Sequence, residues 1–383
     1  MPRYDLLLKG GRVIDPASDL DAVQDVAFAG GKVAAVAGDL SPSDAATVRD
    51  VSGRIVTPGL IDLHTHVYWG GTAIGVDAER VARRSGTTTF LDVGTAGAGN
   101  FAGFKHHVID RSAVRILAFL NISFPGIYAF SHAVMVGETQ DIRLLDAREC
   151  VRVARAYPDD ILGIKVRVGR GTSGGLGLGP LHLAMEAADS LGLPLMTHLD
   201  MPPPSVKDVL SLMRPGDILT HCFRPFPNAP VHGDGRVREE VMKARERGVI
   251  FDIGHGSGSF GFATARQMLE LGFEPDVISS DVHVLNIDDG PAYDLLHTMS
   301  KFLCLGMDLR AVVRASTTAA AKAMRRPELG TLKPGGVGDA AVLERREGTF
   351  DYQDVLAERI TGDRQLFASM VVVGGSLWHD TAL

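Results

Sequence analysis

The sequence predicts an α/β protein: a (β/α)8 TIM barrel carrying a small β-sandwich domain formed by both chain ends. Three observations lead there. Between residues 58 and 326, short apolar strands alternate with amphipathic helical stretches, and strands that alternate with helices build a parallel sheet. Eight such units fit the roughly 250 residues that a barrel of this kind needs. The flanks, 1–57 and 327–383, hold turns and short strands instead, so the two ends are expected to pair as one composite domain.

Composition narrows the function classes. The chain has 383 residues, 45% hydrophobic and 22% charged, the balance of a globular protein with a sizeable core. The net charge of −7, with no basic run, argues against a nucleic-acid surface. No stretch approaches the roughly 18 uninterrupted apolar residues of a membrane span. The start, Met1-Pro2-Arg3-Tyr4-Asp5, is followed by only three leucines, which does not read as a signal peptide. Cys150, Cys222 and Cys304 lie far apart and suggest no disulfide framework, as in a reducing cytoplasm. Each reads as a small core residue. The expected partner is a small-molecule substrate, with no nucleic acid and no membrane; a homo-oligomer is compatible with the composition.

In chain order, strands are predicted over 6–13, 24–29 and 32–37, separated by Gly-Gly and Pro turns. From Thr57 the barrel pattern begins. Its strands are predicted to end at His66, Gly94, Ile122, Val168, Leu199, Phe223, His255 and Val282. Helices are predicted over 76–85, 141–156, 181–191, 236–247, 260–271 and 309–324. Short strands return at 339–343 and 370–373, before Gly374-Gly375.

The run Thr57-Pro58-Gly59-Leu60-Ile61-Asp62-Leu63-His64-Thr65-His66 organises the rest. Residues i and i+2 of a strand share a face, so His64 and His66 aim into one space. Alone, such a pair is weak evidence for a metal. Catalytic groups of a barrel belong at the C-terminal ends of its strands, however, and those ends also carry Lys165, His198, His221 and Asp281. Each histidine taken singly reads as a core residue; their coincidence at strand ends does not. Lys165 lies in an apolar run, Ile161-Leu162-Gly163-Ile164-Lys165-Val166, where an ammonium is costly. It is either salt-bridged, extended to solvent, or carbamylated by carbon dioxide. The carbamate would turn it into an anionic oxygen ligand shared by two divalent metals, and the nitrogen and oxygen donor set suits zinc.

These motifs resemble the amidohydrolase superfamily, in its dihydroorotase-like binuclear branch. The resemblance rests on TPGLIDLHTH, the lysine in GIKVRVG, His198 in LMTHL, His221 in LTHC and Asp281 in ISSDVH. LLLKGGRVIDP and GKVAAVAG near the start, with GTLKPGGVGDAAVL and VVVGGSLW near the end, are similar to the flanking β-sandwich of that family. The resemblance implies that His64, His66 and Asp281 hold one metal and His198 and His221 the other. It also implies that carbamylated Lys165 and a hydroxide bridge the pair, with Asp281 as catalytic base and acid. Dihydroorotases of this kind carry an arginine two residues after the second histidine, to hold the substrate carboxylate; this chain has Tyr68 there. Residues 279–307, SSDVHVLNIDDGPAYDLLHTMSKFLCLGM, resemble instead a subgroup of amidohydrolases or deacetylases. That implies hydrolysis of a small acyl ester or amide, with acetylated 2-hydroxy acids such as acetyl-(R)-mandelate leading. The alternatives are a cyclic amide or imide hydrolase, an N-acyl-amino-acid deacylase, and a non-catalytic scaffold that kept the fold.

Substrate contacts are expected from Tyr128, in the loop after the third strand, and from Arg167 and Arg170, at the end of the lysine-bearing strand. His255 and His283 are expected beside them. Packing explains Tyr128 equally well from sequence, and a solvated or paired side chain explains Arg167 and Arg170 better than a substrate contact does.

Overall fold

The two sheets of the molecule meet at Ile55–Pro58. In the computed structural model, which describes residues 2–382, this strand runs parallel to Tyr4–Asp15, with Val56 beside Val13. On its other side it runs antiparallel to Ala340–Gln353, with Val56 beside Val342. Both ends of the chain therefore share one eight-stranded mixed sheet. Leu20–Ala29 and Lys32–Ala37 extend it on one side, and Arg359–Val373 and Ser376–Asp380 on the other. Ala45–Asp50 pairs in parallel with Tyr4–Asp15. One face buries Leu6, Leu8, Val13, Val26, Phe28, Val56, Val342 and Val372 together.

After Gly59 the chain enters a separate, curled parallel sheet. Its seven strands follow sequence order: Leu60–Thr65, Thr87–Gly97, Arg115–Asn121, Ile161–Val168, Leu195–Leu199, Ile218–Leu219 and Ile250–Phe251. Residues 277–282 fill the gap between its edges without forming a regular strand. They make isolated parallel bridges, Asp252 with Val277 and Thr65 with Val282. The eighth strand predicted to end at Val282 is therefore a bridging segment. It still bonds backbone to backbone on both sides, as from the Asp281 amide to the His64 carbonyl and from the His255 amide to the Ser279 carbonyl, while the Ser280 amide donates to Asp62 Oδ1 at 2.9 Å.

Most predicted helices form, with shifted ends. Ala78–Ser85 starts at Asp77, whose carboxylate accepts from the Glu79 amide, and Ala147–Ala156 starts at Asp146, which accepts from Arg148 and Glu149. A carboxylate at that position satisfies otherwise orphaned amides. The helix predicted over 309–324 is two helices, Leu309–Ala315 and Thr318–Ala323, broken at Ser316 and Thr317. Phe101–His107, Val206–Leu212 and Leu295–Cys304 are helices that the sequence reading missed. Among the described residues, no helix is long and apolar enough to cross a membrane.

Inside the curl, Ile61, Leu63, Leu91, Val93, Phe119, Met196 and Ile218 pack on Ala320, Ala321 and Met324 of the helix Thr318–Ala323 and its end. That plugs the end from which the strands start. The opposite end, where the strands finish, is left for polar side chains. Strict alternation from Leu60 would put His64 opposite Leu63. The pairing with Thr87–Gly97 slips between Asp62 and Thr65, and Leu63 and His64 both reach the interior. A bulge re-aims side chains in this way.

Gly59 marks the crossing between the sheets. A Cβ there would lie 2.1 Å from Thr88 Oγ1 and 2.9 Å from Asp339 Cβ. Gly59→Ala is expected to cost about 1–3 kcal/mol of stability, the usual range for overpacking. The check is the denaturant midpoint, with an unchanged midpoint refuting the close fit.

Candidate metal centre

A cavity of about 240 Å³ opens where the parallel strands end. His64, His66, Lys165, His198, His221 and Asp281 all line it. The first strand brings His64 and His66, the fourth Lys165 and the fifth His198. His221 and Asp281 sit just past strand ends, in loops whose backbone is strained. Both have positive φ, 63° for His221 and 50° for Asp281, a region that side-chain-bearing residues seldom adopt. Each strained residue points a polar group into the cavity.

Hydrogen bonds outside the cavity decide which ring nitrogen faces in. The Thr220 hydroxyl gives its proton to Asp252 Oδ2 at 2.7 Å. It therefore accepts from His64 Nδ1, 2.7 Å away, and His64 Nε2 is left as a bare lone pair. Thr95, which bonds Asp92 through its hydroxyl and amide, accepts in the same way from His66 Nδ1 at 2.8 Å. The Gly254 carbonyl accepts from His221 Nδ1 at 2.6 Å, so His221 Nε2 is bare as well. An imidazole carries one proton when neutral, and burial holds these three rings and His198 well below their ordinary pKa.

The bare lone pairs converge. Asp281 Oδ1 lies 3.4 Å from His64 Nε2 and 3.2 Å from His66 Nε2. It is buried and has no hydrogen-bond partner among the described residues. Three acceptor atoms with no proton between them repel one another unless a cation sits among them. His221 Nε2 accepts from His198 Nδ1 at 2.7 Å, and His198 Nε2 is buried with no hydrogen-bond partner among the described residues. The cluster of His64, His66 and Asp281, made of nitrogen and carboxylate oxygen, fits a divalent metal, and the His198–His221 pair lies beside it.

Lys165 stands between them in chemistry. It is fully buried, and among the described residues the one hydrogen-bond contact of its Nζ is Met196 Sδ at 3.4 Å. Burial lowers its pKa to about 7, so a large share of the amine is uncharged at neutral pH. It is neither salt-bridged nor extended to solvent. Gly94 makes room for it, because a Cβ there would lie 2.7 Å from Lys165 Cγ.

The expected substrate contacts divide. Arg167 and His283 line the cavity. Arg167 is already paired with the buried Glu138 at 3.2 Å. His283 Nδ1 accepts from the Leu285 amide at 3.1 Å, which leaves its Nε2–H as a donor. Three residues lie elsewhere. Tyr128 is 41% exposed and outside the cavity; Phe130 takes that place, held by a bridge to Met135 and set edge-on to His283 at 5.2 Å. Arg170 is exposed, because the chain turns at Gly169, with φ of 141°, and leaves the inner face. His255 has both nitrogens engaged: Nδ1 with the Gly256 carbonyl at 2.9 Å and Nε2 with Lys301 Nζ at 2.7 Å. It has no ring proton or lone pair left for a substrate.

The sequence reading missed Phe130, Asp200, Arg224 and Ser257–Ser259, all of which line the cavity, and the outer pair Thr220 and Asp252. Thr220 and Arg224 flank His221 closely in sequence, and Asp252 is an acid inside an apolar strand; those were the available signals.

No family model matches the chain. A deacetylase of Agrobacterium fabrum is 33% identical over 325 residues, 85% of this chain and 79% of that protein. The chain belongs to the amidohydrolase superfamily, in its dihydroorotase-like branch. It is a metal-dependent hydrolase. Among amidohydrolase crystal structures, one described as an adenine deaminase superposes with a TM-score of 0.91 at 30% identity, covering 98% of this chain and 100% of that one. Another, described as a dihydroorotase, gives 0.89 at 30% identity, covering 98% and 97%. The superfamily usually binds two metals, and this amidohydrolase presents a His64, His66 and Asp281 group that could hold a metal.

The outer hydrogen bonds give the first test of the centre. Thr220→Val removes the acceptor that fixes the His64 tautomer. It is expected to weaken divalent-metal binding by about 10- to 100-fold, as loss of such partners commonly does. Titration of stripped protein with zinc checks it.

Proposed function

We propose that this amidohydrolase removes a small acyl group from an ester or amide, with acetylated 2-hydroxy acids such as acetyl-(R)-mandelate as the leading substrate class. The proposal takes a (β/α)8 barrel over 58–326, a composite β-sandwich over 1–57 and 327–383, and a cytoplasmic location. Three free cysteines are in keeping with that location. The observation that carries the reading is the convergence of six ligand-type side chains in one small cavity of a chain related to deacetylases.

His64, His66 and Asp281 would hold one divalent metal, His198 and His221 a second, and a carbamate on Lys165 would serve both. The uncharged amine that burial favours is the form that adds to carbon dioxide, with release of one proton. Zinc suits this donor set. Bound there, the metals would supply Lewis acidity and a water acidic enough to attack near neutral pH.

The chain supplies the rest. Asp281 Oδ1 faces the two histidines, which leaves Oδ2 to take the proton of the attacking water and return it to the leaving oxygen or nitrogen. For an amide that return is needed, because an amide anion leaves poorly. The His283 Nε2–H is a donor for the carbonyl or the leaving group. Ile74 and Phe130 give the cavity an apolar side that would cover an alkyl or aryl group. The 240 Å³ volume lies below the range of drug-sized pockets and suits a small acid.

Cleavage of a cyclic ureide is the second reading, supported by the 30% identical dihydroorotase structure. Against it, Tyr68 stacks on Phe104 at 4.6 Å and its hydroxyl bonds the Asn100 carbonyl at 3.3 Å. The position where dihydroorotases place an arginine faces away from the cavity here.

The purified protein is expected to carry two divalent metals per chain and to hydrolyse acetylated 2-hydroxy acids faster than dihydroorotate or adenine. Elemental analysis and a substrate panel decide both; one metal or fewer at full loading, or turnover of the cyclic compounds alone, refutes the reading. Asp281→Asn is expected to lower kcat by about 10²- to 10⁴-fold, the usual loss for a general acid–base. Cys222→Ser, at a packing position, is expected to leave kcat within a few-fold of wild type.

A further inference from the structure

The cavity holds two guanidinium groups, and they are not equivalent. Arg167 is neutralised by Glu138 at 3.2 Å, a carboxylate with no exposed surface. Arg224 is 9% exposed, and no carboxylate lies within ion-pair distance of it among the described residues. Its Nε and Nη1 are buried and have no hydrogen-bond partner there. The backbone around it is fixed: its amide donates to the His221 carbonyl at 3.1 Å, and its own carbonyl accepts from Thr264 Oγ1 at 3.4 Å. An arginine stays charged at any pH the protein meets, so this is a buried cation with unused donors. Such a group is strongly unfavourable until an anion pairs with it.

The place of this cation relative to the metal centre is set by the chain. Arg224 lies three residues after His221, in the same strand-end loop, and lines the cavity with His198, Asp200 and Ser257–Ser259. Its positive charge is felt at His198 and His221, where it adds to the burial that keeps those rings neutral. Asp200 is the nearest acid to influence it, but it is too far for an ion pair and its Oδ1 is turned to the Gly171 amide at 3.4 Å. The Arg224 side chain therefore forms part of the cavity wall on the side of His198 and His221.

We infer that Arg224 is the substrate-anchoring residue, and that the substrate carries a carboxylate which its guanidinium binds while the acyl carbonyl sits at the metal centre. This rests on the deacylase reading for the bond that is cleaved, and it moves the anchor expected at Arg167 and Arg170 to a residue with donors to spare. A guanidinium grips a carboxylate by two parallel bonds, so the anchor fixes the direction of the substrate as well as its charge. The opposite wall, Ile74 and Phe130, then receives the group on the carbon between carboxylate and acyl oxygen or nitrogen. The class is an N- or O-acylated 2-amino or 2-hydroxy acid with one apolar side group.

Three proteins and two measurements test it: wild type, Arg224→Met and Arg224→Lys, each with metal content and melting temperature recorded. The first measurement is kcat/KM for an acetylated 2-hydroxy acid and for its methyl ester. Wild type is expected to prefer the free acid, and Arg224→Met to lose that preference by about 30-fold or more, the scale for removing one partner of a buried charge pair. Arg224→Lys, with a charge but no fork, is expected to fall between. The second measurement is the Kd of mandelate by calorimetry, on metal-loaded and on stripped protein; Arg224→Met is expected to weaken both. Absence of an acid preference in wild type, or Arg224→Met keeping the wild-type preference and Kd with metals retained, overturns the anchor. If wild type hydrolyses no acyl compound yet binds mandelate through Arg224, the deacylase reading fails and the anchor stands. If Arg224→Met does not fold, the Arg224→Lys protein alone decides: wild-type preference and Kd there refute the two-point grip.

Discussion

The centre of this protein depends on one constraint: buried lone pairs must face one another without protons between them. The structure fixes the arrangement from outside, by giving three of the four inward-facing histidines an acceptor for the other nitrogen. Thr220 serves His64, Thr95 serves His66, and the Gly254 carbonyl serves His221. Thr220 and Thr95 act as acceptors because Asp252 and Asp92 take their protons. The carboxylates are themselves buried, and burial raises both to about 6. They persist because hydroxyl and amide donors surround them. Metal affinity is thus built two bonds away from the metal.

The same constraint explains where the backbone is strained. A ladder of regular strands would continue through His221 and Asp281 and turn alternate side chains outward. Positive φ at both positions ends the ladder and re-aims the side chains. The cost is visible in the sheet: Ile218–Leu219 and Ile250–Phe251 are only two residues long, and residues 277–282 are joined by single bridges. Stability comes from elsewhere, from the apolar plug at the far end of the curl and from the mixed sheet clamped at Ile55–Pro58.

The pattern of strands and helices was legible because buried parallel strands are apolar runs and surface helices have a polar face. It failed where those signals vanish. Leu295–Cys304 is buried on nearly every side, so it shows no polar stripe and left no period to read. Phe101–His107 and Val206–Leu212 span seven residues each, too few turns for a period to stand out. Ser316 and Thr317 break a helix that composition alone continues.

By itself, the sequence determined which residue types could bind metals and that they fall at strand ends, since strand spacing is a local property of the chain. It also determined the class of enzyme, because TPGLIDLHTH and its partner motifs are specific. What only the tertiary structure decided is which charged groups are satisfied. Arg167 and Arg224 read alike as letters; one meets Glu138, 29 residues away, and the other meets no carboxylate among the described residues. His255 reads like His283, yet Lys301 occupies its free nitrogen. Pairing of charges depends on which segments meet in space, and a guanidinium has the same composition and spacing whether or not a partner reaches it.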